Sequence, residues 1–245
     1  MGSPCLNNLW IPDGYKNTPG NRIEPRKRLK KSLDEIYKIQ YSSDYLIDSV
    51  ESKFFGIGYE SYTAGNHEFY LMYAKEKGLI PLMDTGHYHY GEEVYDKLSS
   101  VSMFFDRIAL HVTKAVNWDS DHVVSLSDDI IELAREIVAS DILDKVHLGL
   151  DFFDGSINRI AAWVLGTRNF QKALLKALLL PHGYLNRLQN EGKFTEIMIL
   201  LEEFKTYPFE QVWEKFCANN NVPADETWWQ QVQQYEKDVL DKRGQ

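Results

Sequence analysis

The sequence predicts a fold of the α/β class with a long helical extension. Five short apolar segments each precede a stretch of helical periodicity, polar side chains collect where these segments end, and the rest of the chain reads as helix. This alternation indicates parallel strands joined by helices, as in a (β/α)8 TIM barrel, which requires eight strands. The chain would therefore form a partial barrel, about three units short of eight. A five-stranded open parallel sheet is the structural alternative.

The first predicted strand, Leu9–Pro12, ends in the turn Asp13–Gly14. A helix rich in arginine and lysine opens near Pro25, because proline suits the first turn of a helix. The apolar residues of this helix recur at helical spacing and share one face: Leu29, Leu33, Ile36 and Ile39. The amino-terminal region thus predicts one strand followed by one amphipathic helix.

The second and third strands are predicted at Tyr45–Glu51 and Leu79–Asp84, each an apolar run that ends in a carboxylate. A glycine-bearing loop at Phe55–Gly58 and a helix from about Asn66 to Lys77 connect these strands. We therefore expect a second unit of the same kind as the first.

The fourth and fifth strands are predicted at Arg107–Val112 and Val146–Asp151. A helix rich in Ile, Leu and Val is expected between them, over about Ser127–Ala139. Ser127 is a suitable N-cap, and the acidic Asp128 and Asp129 favour the positive end of the helix dipole. These elements complete the predicted series of strands and helices.

After the fifth strand the sequence indicates helices alone. Apolar residues recur at helical spacing from Ile157 to Leu180, and Pro181–Gly183 interrupts the run. Further helices are predicted around Phe194–Phe204, Phe209–Cys217 and Trp228–Val239. We therefore divide the chain into residues 1–157, the barrel portion, and residues 158–245, the last barrel helix plus a helical extension expected to mediate oligomerisation.

The composition of this 245-residue chain narrows the class of protein. The 27 Lys and Arg residues against 36 Asp and Glu residues give a formal net charge of −9, which argues against a nucleic-acid partner. No apolar run reaches the ~18 residues of a spanning helix and no signal pattern opens the chain, so we expect no membrane partner. Cys5 and Cys217 match no metal or disulfide framework, which suits a reducing compartment and predicts a cytoplasmic protein.

Metal-competent side chains stand at or just after the ends of the second to fifth strands. Because the carboxyl ends of parallel strands meet at one edge, we expect these side chains to lie together. Carboxylates and imidazoles are ligands for Mn²⁺, Zn²⁺, Mg²⁺ or Co²⁺. In an extended backbone Asp119 and Asp121 point to one side, as do His87 and His89, which suggests two metals. The predicted ligands are Glu51, Asp84, His87, His111, Asp119, Asp121 and Asp151.

Several of these assignments have plain structural alternatives. A strand-end aspartate is more often a cap or turn residue than a ligand, although so many candidates on consecutive strand ends favour a metal site. Lys53 could polarise a substrate oxygen or form a surface ion pair. Trp10 and Phe54 flank the ends of predicted strands. Their aromatic rings could pack on the apolar face of a sugar, or they could be part of the hydrophobic core. His67–Glu68 is no zincin motif, since Leu71 stands where a second histidine is required.

A set of long segments is similar to those of one known family. They are Asn8–Gly14, Val50–Lys53, Asp84–His89, Trp118–Val124, Gly149–Asp154, Ser156–Trp163 and Gly166–Asn169. On these segments the chain resembles the L-rhamnose isomerase family, and the resemblance continues through the helical tail to Tyr235–Lys237. The chain departs from the family pattern at Asn117, at Tyr90–Glu92 and at Gly155.

The resemblance implies that this chain supplies about five C-terminal βα units of a (β/α)8 barrel. Family members are usually homotetramers, and their preceding region carries the first barrel strands and part of the sugar pocket. One metal would be held by the residues matching Glu51, Asp84, His111 and Asp151. A second would be held by those matching His87, Asp119 and Asp121.

The implied activity is that of a metal-dependent aldose–ketose isomerase that interconverts L-rhamnose and L-rhamnulose in L-rhamnose catabolism. Mn²⁺ is the expected cofactor, with Zn²⁺ or Co²⁺ as alternatives. We expect a 1,2-hydride shift at a two-metal site, with Asp119 and Asp121 assisting proton transfer and Lys53 stabilising negative charge. Proton transfer through an enediol would use the same ligands. The alternative from a different class is a truncated, inactive fragment, or an assembly half that needs the missing barrel strands.

Overall fold

The computed structural model describes most of the chain: residues 4–11, 20–52, 66–89, 91–115, 121–152 and 155–243. The fold divides into two units. The first consists of Met1–Val124 with Ser140–Asp154, and the second of Ser125–Ala139 with Gly155–Gln245. The domain boundary expected after residue 157 stays a prediction.

The first unit is built on a parallel sheet. Its strands are β1 (Cys5–Leu9), β2 (Leu46–Glu51), β3 (Ile80–Asp84), β4 (Ile108–Val112) and, last along the chain, β7 (Val146–Leu150). They lie in the order β1-β2-β3-β4-β7, and every neighbouring pair is parallel. Strands that follow one another in chain order are typical of the (β/α)8 barrel, whereas a doubly wound sheet reverses its order at a switch point. The predicted α/β fold, a partial barrel with a helical extension, is confirmed.

Helices and a short ribbon complete the first unit. The helices are α1 (Ile23–Ile36), α2 (His67–Lys77) and α3 (Tyr95–Ser102). The ribbon pairs β5 (Lys114–Ala115) with β6 (Asp121–His122) in antiparallel fashion. Neither α3 nor the ribbon follows from the sequence pattern, because α3 buries only Leu98 and Val101 and each ribbon strand has two residues.

The first strand lies earlier in the chain than predicted. The apolar run suggested Leu9–Pro12, but β1 spans Cys5–Leu9 and includes two asparagines that weaken any apolar pattern. These asparagines have partners on β2: Asn7 Nδ2 donates to Asp48 Oδ1 at 2.9 Å, and Asn8 pairs in register with Ser49. Cross-strand hydrogen bonds thus replace the apolar burial that the prediction required.

A hydrophobic cluster packs α1 and α2 against β2. Leu29 and Leu33 on α1 are at most 1% exposed. They belong to one buried cluster with Val50 of β2 and with Tyr70, Tyr73 and Ala74 of α2. Burying a leucine side chain contributes about 1.5–3 kcal/mol, so this cluster holds the strand that ends in Glu51.

The bounds of α2 follow from its caps. Asn66 Oδ1 accepts a hydrogen bond from the backbone N–H of Phe69 at 3.1 Å, which satisfies one of the open donors of the first turn. Gly78 ends the helix at a φ of 68°, a left-handed conformation that favours glycine. The N-cap fixes the position of His67, the first residue of α2.

The second unit is helical. Its helices are α4 (Asp128–Ala139), α5 (Arg159–Leu179), α6 (His182–Asn190), α7 (Phe194–Lys205), α8 (Glu210–Asn219) and α9 (Thr227–Tyr235), followed by a π-helical turn at Glu236–Leu240. The sequence pattern missed α6, because Pro181 was interpreted as a break. Proline at that point costs no hydrogen bond, since it stands just before the first residue of α6. Over the part of the chain that is described, no helix is long and apolar enough to cross a membrane.

Arg168 on α5 binds the segment between α8 and α9. Its guanidinium donates to the carbonyl oxygens of Pro223 at 2.7 Å, Ala224 at 2.6 Å and Asp225 at 3.2 Å. The same group lies 5.0 Å from the ring centroid of Trp213. A planar fork of donors suits this arrangement better than the single ammonium of lysine.

We expect Arg168→Lys to destabilise the second unit by about 1–3 kcal/mol, because two of the three carbonyl oxygens lose their charged donor. Amide hydrogen exchange would show faster exchange in α9, and urea unfolding would give the loss of stability. Arg187→Lys on the exposed side of α6 is the matched control, with an expected change below about 0.5 kcal/mol. Equal stability of the two variants would contradict this role of Arg168.

Candidate metal centre

Three predicted ligands lie together at the carboxyl edge of the sheet. Glu51 is the last residue of β2, Asp84 is the last of β3, and His111 lies in β4 beside Asp84 in the register. One ligand atom from each of these side chains lies within 4.8 Å of the other two. The parallel register brings them together, as expected for side chains at the ends of neighbouring strands.

Asp151 joins this group from the end of β7. Its Oδ2 lies 3.1 Å from His111 Nδ1, and its backbone N–H donates to Val112 O at 3.2 Å. The same Nδ1 lies 3.5 Å from Asp84 Oδ2 and 3.6 Å from Glu51 Oε2. The structure thus brings together the four residues that the resemblance assigns to one metal.

His87 lies on the other side of Glu51. Its Nδ1 is 2.9 Å from Glu51 Oε1, and its Nε2 is 4.0 Å from Asp84 Oδ2. Asp121 lies in β6, but its side chain is outside the described residues. Lys53, Phe54 and Asp119 also lie outside the described residues, while Trp10 directly follows β1 and is 41% exposed. Of the second predicted ligand set, the structure therefore places His87 alone.

Asn8 contacts the centre but was not among the predicted site residues. Its Nδ2 donates to Glu51 Oε2, and its Oδ1 accepts from the Ser49 hydroxyl at 3.1 Å. The amide nitrogen must face Glu51, because an amide oxygen there would oppose a carboxylate oxygen. Asn8 therefore orients the carboxylate from the neighbouring strand.

Backbone contacts orient the remaining groups. Asp84 Oδ1 accepts from the backbone N–H of Gly86 at 2.6 Å, which leaves Oδ2 directed at the cluster. Thr85 Oγ1 accepts from Thr113 N at 2.9 Å and donates to Thr113 O at 2.9 Å, so the segments after β3 and β4 are joined. Thr113 Oγ1 also donates to His122 O at 3.3 Å, which connects this edge to β6.

The carboxylates and imidazoles of the cluster shift one another's pKa values. Burial raises the pKa of Glu51, but the imidazoles of His111 and His87 outweigh it and bring that pKa to about 2. Burial raises the pKa of Asp84 above its usual range. Burial lowers the pKa of His111, but the three neighbouring carboxylates outweigh it and raise that pKa to about 12. A protonated His111 therefore supplies positive charge that a divalent cation would replace.

The buried ligand atoms fit a divalent cation. Within the described part of the chain, Glu51 Oε1, Asp84 Oδ2 and His111 Nδ1 are buried without an aligned hydrogen-bond partner. Each atom instead faces an ion-pairing neighbour, with His87 Nδ1 at 2.9 Å from Glu51 Oε1 and His111 Nδ1 at 3.5 Å from Asp84 Oδ2. Carboxylate oxygens with an imidazole nitrogen form a donor set that Mn²⁺, Zn²⁺ and Co²⁺ accept. The donor chemistry and the unsatisfied atoms agree.

We expect cation binding to release about one proton near pH 7, because a ligating His111 must be neutral while its pKa stands near 12. At any pH below the pKa of His111, the apparent affinity for the cation should then increase up to about tenfold for each unit by which the pH is raised. Calorimetric titration with Mn²⁺ in two buffers of different ionisation enthalpy measures the proton count. His147→Gln is the control variant and should release the same number of protons as the unmodified chain. Cation binding without proton release would contradict the expectation.

The fold and this cluster define the class of the protein: an α/β protein with a partial (β/α)8 barrel and a candidate metal centre at the carboxyl edge of its strands. The family model of L-rhamnose isomerase (RhaA) matches residues 1–243. The chain belongs to the L-rhamnose isomerase family, as the sequence resemblance predicted.

Relatives named L-rhamnose isomerase are similar over nearly the whole chain. The protein of Cronobacter sakazakii is 49% identical over 243 residues, which cover 99% of this chain and 58% of that protein. The protein of Rhodopirellula baltica is 48% identical over 99% of this chain and 57% of its own length. The protein of Yersinia pestis (strain Pestoides F) is 49% identical over 99% of this chain and 58% of its own length. The chain thus spans less than two thirds of the length of these relatives.

Proposed function

We propose that this chain provides the metal-binding part of an aldose–ketose isomerase that interconverts L-rhamnose and L-rhamnulose. The observation that carries the proposal is the cluster of Glu51, Asp84 and His111, whose ligand atoms lie within 4.8 Å of one another at the edge where barrel enzymes place their chemistry. The names of the relatives support the choice of substrate.

The ligands divide into two proposed sets. Glu51, Asp84, His111 and Asp151 would hold one cation, and His87, Asp119 and Asp121 a second. We propose Mn²⁺ for both, with Zn²⁺ or Co²⁺ compatible with the same donors. The bound cations would supply positive charge that stabilises negative charge developing on the C1 and C2 oxygens of the open-chain sugar. His87, 2.9 Å from Glu51, lies beside the first set.

The chain's own groups would handle the protons and the charge. Asp119 and Asp121 are proposed to assist proton transfer between O1 and O2, and Lys53 is proposed to stabilise the negative charge that develops on the substrate oxygen. In the proposed 1,2-hydride shift no side chain removes hydrogen from C2. Deuterium placed at C2 of L-rhamnose should therefore be retained at C1 of the product, and its loss to water would favour the enediol route.

Assembly into a homo-oligomer, a tetramer as in the family, is the proposed state of the complete enzyme. One observation in the second unit supports self-association. None of the residues of α7 is buried, and its apolar side chains Phe194 and Met198 are 65% and 61% exposed. Exposed apolar side chains of this size are typical of association surfaces. The proposed compartment is the cytoplasm, which agrees with the two free cysteines.

The test separates cation binding from turnover. The chain is expressed alone, titrated with Mn²⁺ by calorimetry, and then assayed for L-rhamnulose formed from L-rhamnose. Mn²⁺ binding with ketose formation supports the full proposal. Binding without ketose supports the alternative of an assembly half that needs further barrel strands, and no binding at all contradicts the proposed metal centre.

A further inference from the structure

His67, outside the proposed ligand sets, contacts both segments that carry them. It is the first residue of α2, and its Nδ1 is hydrogen-bonded to the Ser52 hydroxyl. The face of its imidazole stacks on Tyr88, with ring centroids 3.6 Å apart and planes at 3°. One side chain therefore joins the end of β2 to the segment after β3.

The two contacted residues are direct neighbours of proposed ligands. Ser52, 3% exposed, follows Glu51, and Tyr88 follows His87. The ligand side chains meet next to these contacts, where His87 Nδ1 lies 2.9 Å from Glu51 Oε1. A shift of Ser52 or Tyr88 would thus be passed through one peptide unit to a ligand.

The position of His67 is itself fixed. The N-cap at Asn66 accepts from Phe69 N at 3.1 Å, which holds the first turn of α2 in place. Tyr88 has a second contact, because the ammonium of Lys97 lies 5.3 Å from its ring centroid. The imidazole is therefore held between a capped helix and an aromatic ring with its own support, as a positioning contact requires.

Metal centres respond strongly to such contacts. Ligand distances must stay within about 0.2 Å of their ideal values, and loss of a supporting hydrogen bond behind a ligand typically lowers metal affinity 10–100-fold. Here the supporting contact reaches ligands on two different strand ends at once. We propose that His67 is a positioning residue of the metal centre, which sets the distance between Glu51 and His87 through Ser52 and Tyr88. This inference rests on the proposed function, since it requires that the centre bind a divalent cation.

Three variants each remove one of the two contacts of His67 and keep the other. His67→Phe keeps an aromatic ring for stacking but loses the hydrogen bond, and His67→Asn keeps a polar atom near the Nδ1 position but loses the stack. Ser52→Ala removes the same hydrogen bond from its other end with a small change in volume. Glu68→Gln is the matched control, because Glu68 directly follows His67 in α2 and is exposed.

Each variant is measured by Mn²⁺ titration calorimetry and by the electron paramagnetic resonance spectrum of bound Mn²⁺. We expect about tenfold weaker binding and an altered spectrum for His67→Phe, His67→Asn and Ser52→Ala, and unchanged values for Glu68→Gln. The double variant Ser52→Ala with His67→Phe should bind as His67→Phe does, because both changes remove one hydrogen bond.

A purely structural role gives a different result. His67→Phe and Ser52→Ala would then lower the melting temperature of the cation-free chain, while affinity and spectrum measured on folded protein match the unmodified chain, and this overturns the proposal. If His67→Phe does not fold, the Mn²⁺ affinity of Ser52→Ala still tests the proposal. An unmodified chain that binds no Mn²⁺ contradicts the proposed function and the positioning role together, whereas normal binding by all variants contradicts the positioning role alone.

Discussion

Replacing Asp84 with asparagine is expected to weaken Mn²⁺ binding at least about a hundredfold while leaving the cation-free chain as stable as before. An anionic oxygen is lost from the candidate ligand set, which removes charge attraction and a donor together. The fold should accept the change, because asparagine Oδ1 can still accept from Gly86 N. Burial already raises the pKa of Asp84, so the neutral amide replaces a carboxyl group whose charged form is disfavoured at this position.

Thermal unfolding with and without Mn²⁺ measures both parts of this prediction. A cation at a hundred times its dissociation constant stabilises the folded chain by about 2.7 kcal/mol, or about 5–10 °C in melting temperature. At the same Mn²⁺ concentration, Asp84→Asn should keep at most about 0.4 kcal/mol of that stabilisation, or about 1–2 °C. The exposed Asp44→Asn, with the same change of charge, should keep it. A melting temperature of Asp84→Asn that rises with Mn²⁺ as much as that of the unmodified chain would contradict the assignment of Asp84 as a ligand.

The largest expected loss of stability is that of Leu33→Ala, at about 2–5 kcal/mol. Leu33 on α1 is 0% exposed and packs in the cluster with Val50, the residue before Glu51. Removal of its branched end leaves a cavity that close-packed neighbours fill only in part. Urea unfolding, followed by circular dichroism, gives the change in the free energy of unfolding.

Ile36→Ala is the control for this change. Ile36 is the last residue of α1 and is 43% exposed, so its truncation loses little burial and should cost less than about 1 kcal/mol. Similar losses for Leu33→Ala and Ile36→Ala would show that the cluster does not depend on Leu33. A larger loss for Leu33→Ala would locate the stability of the first unit between α1 and β2.

The sequence was sufficient to bring together the candidate ligands that stand at the ends of strands. Glu51, Asp84 and Asp151 were predicted because apolar runs end at them, and parallel pairing brings such ends together without further information. The same logic predicted the α/β class, since each apolar run precedes a stretch of helical periodicity. Hydrophobic periodicity is a local property of the chain, so it can be found in a single sequence.

Side-chain contacts between distant residues could not be predicted in this way. Asn8 reaches Glu51 across 43 positions, and this contact depends on the register of β1, which the apolar pattern placed too late in the chain. The sequence pattern presents His67 only as part of a zincin motif, because its contact with Tyr88 depends on where the start of α2 lies relative to the segment after β3. Helix α6 was missed for a different reason, since proline ends one helix and begins another with equal ease.

The strand order has a consequence for the way the centre is made. Each strand of the sheet pairs with the next one along the chain, so pairing can advance in the direction of synthesis without waiting for a distant segment. The proposed ligands would then join the sheet one after another: Glu51 with β2, Asp84 with β3, His111 with β4 and Asp151 after β7. Full cation affinity should consequently arise late, when β7 pairs with β4, and cation binding by the nascent chain would report that this pair has formed.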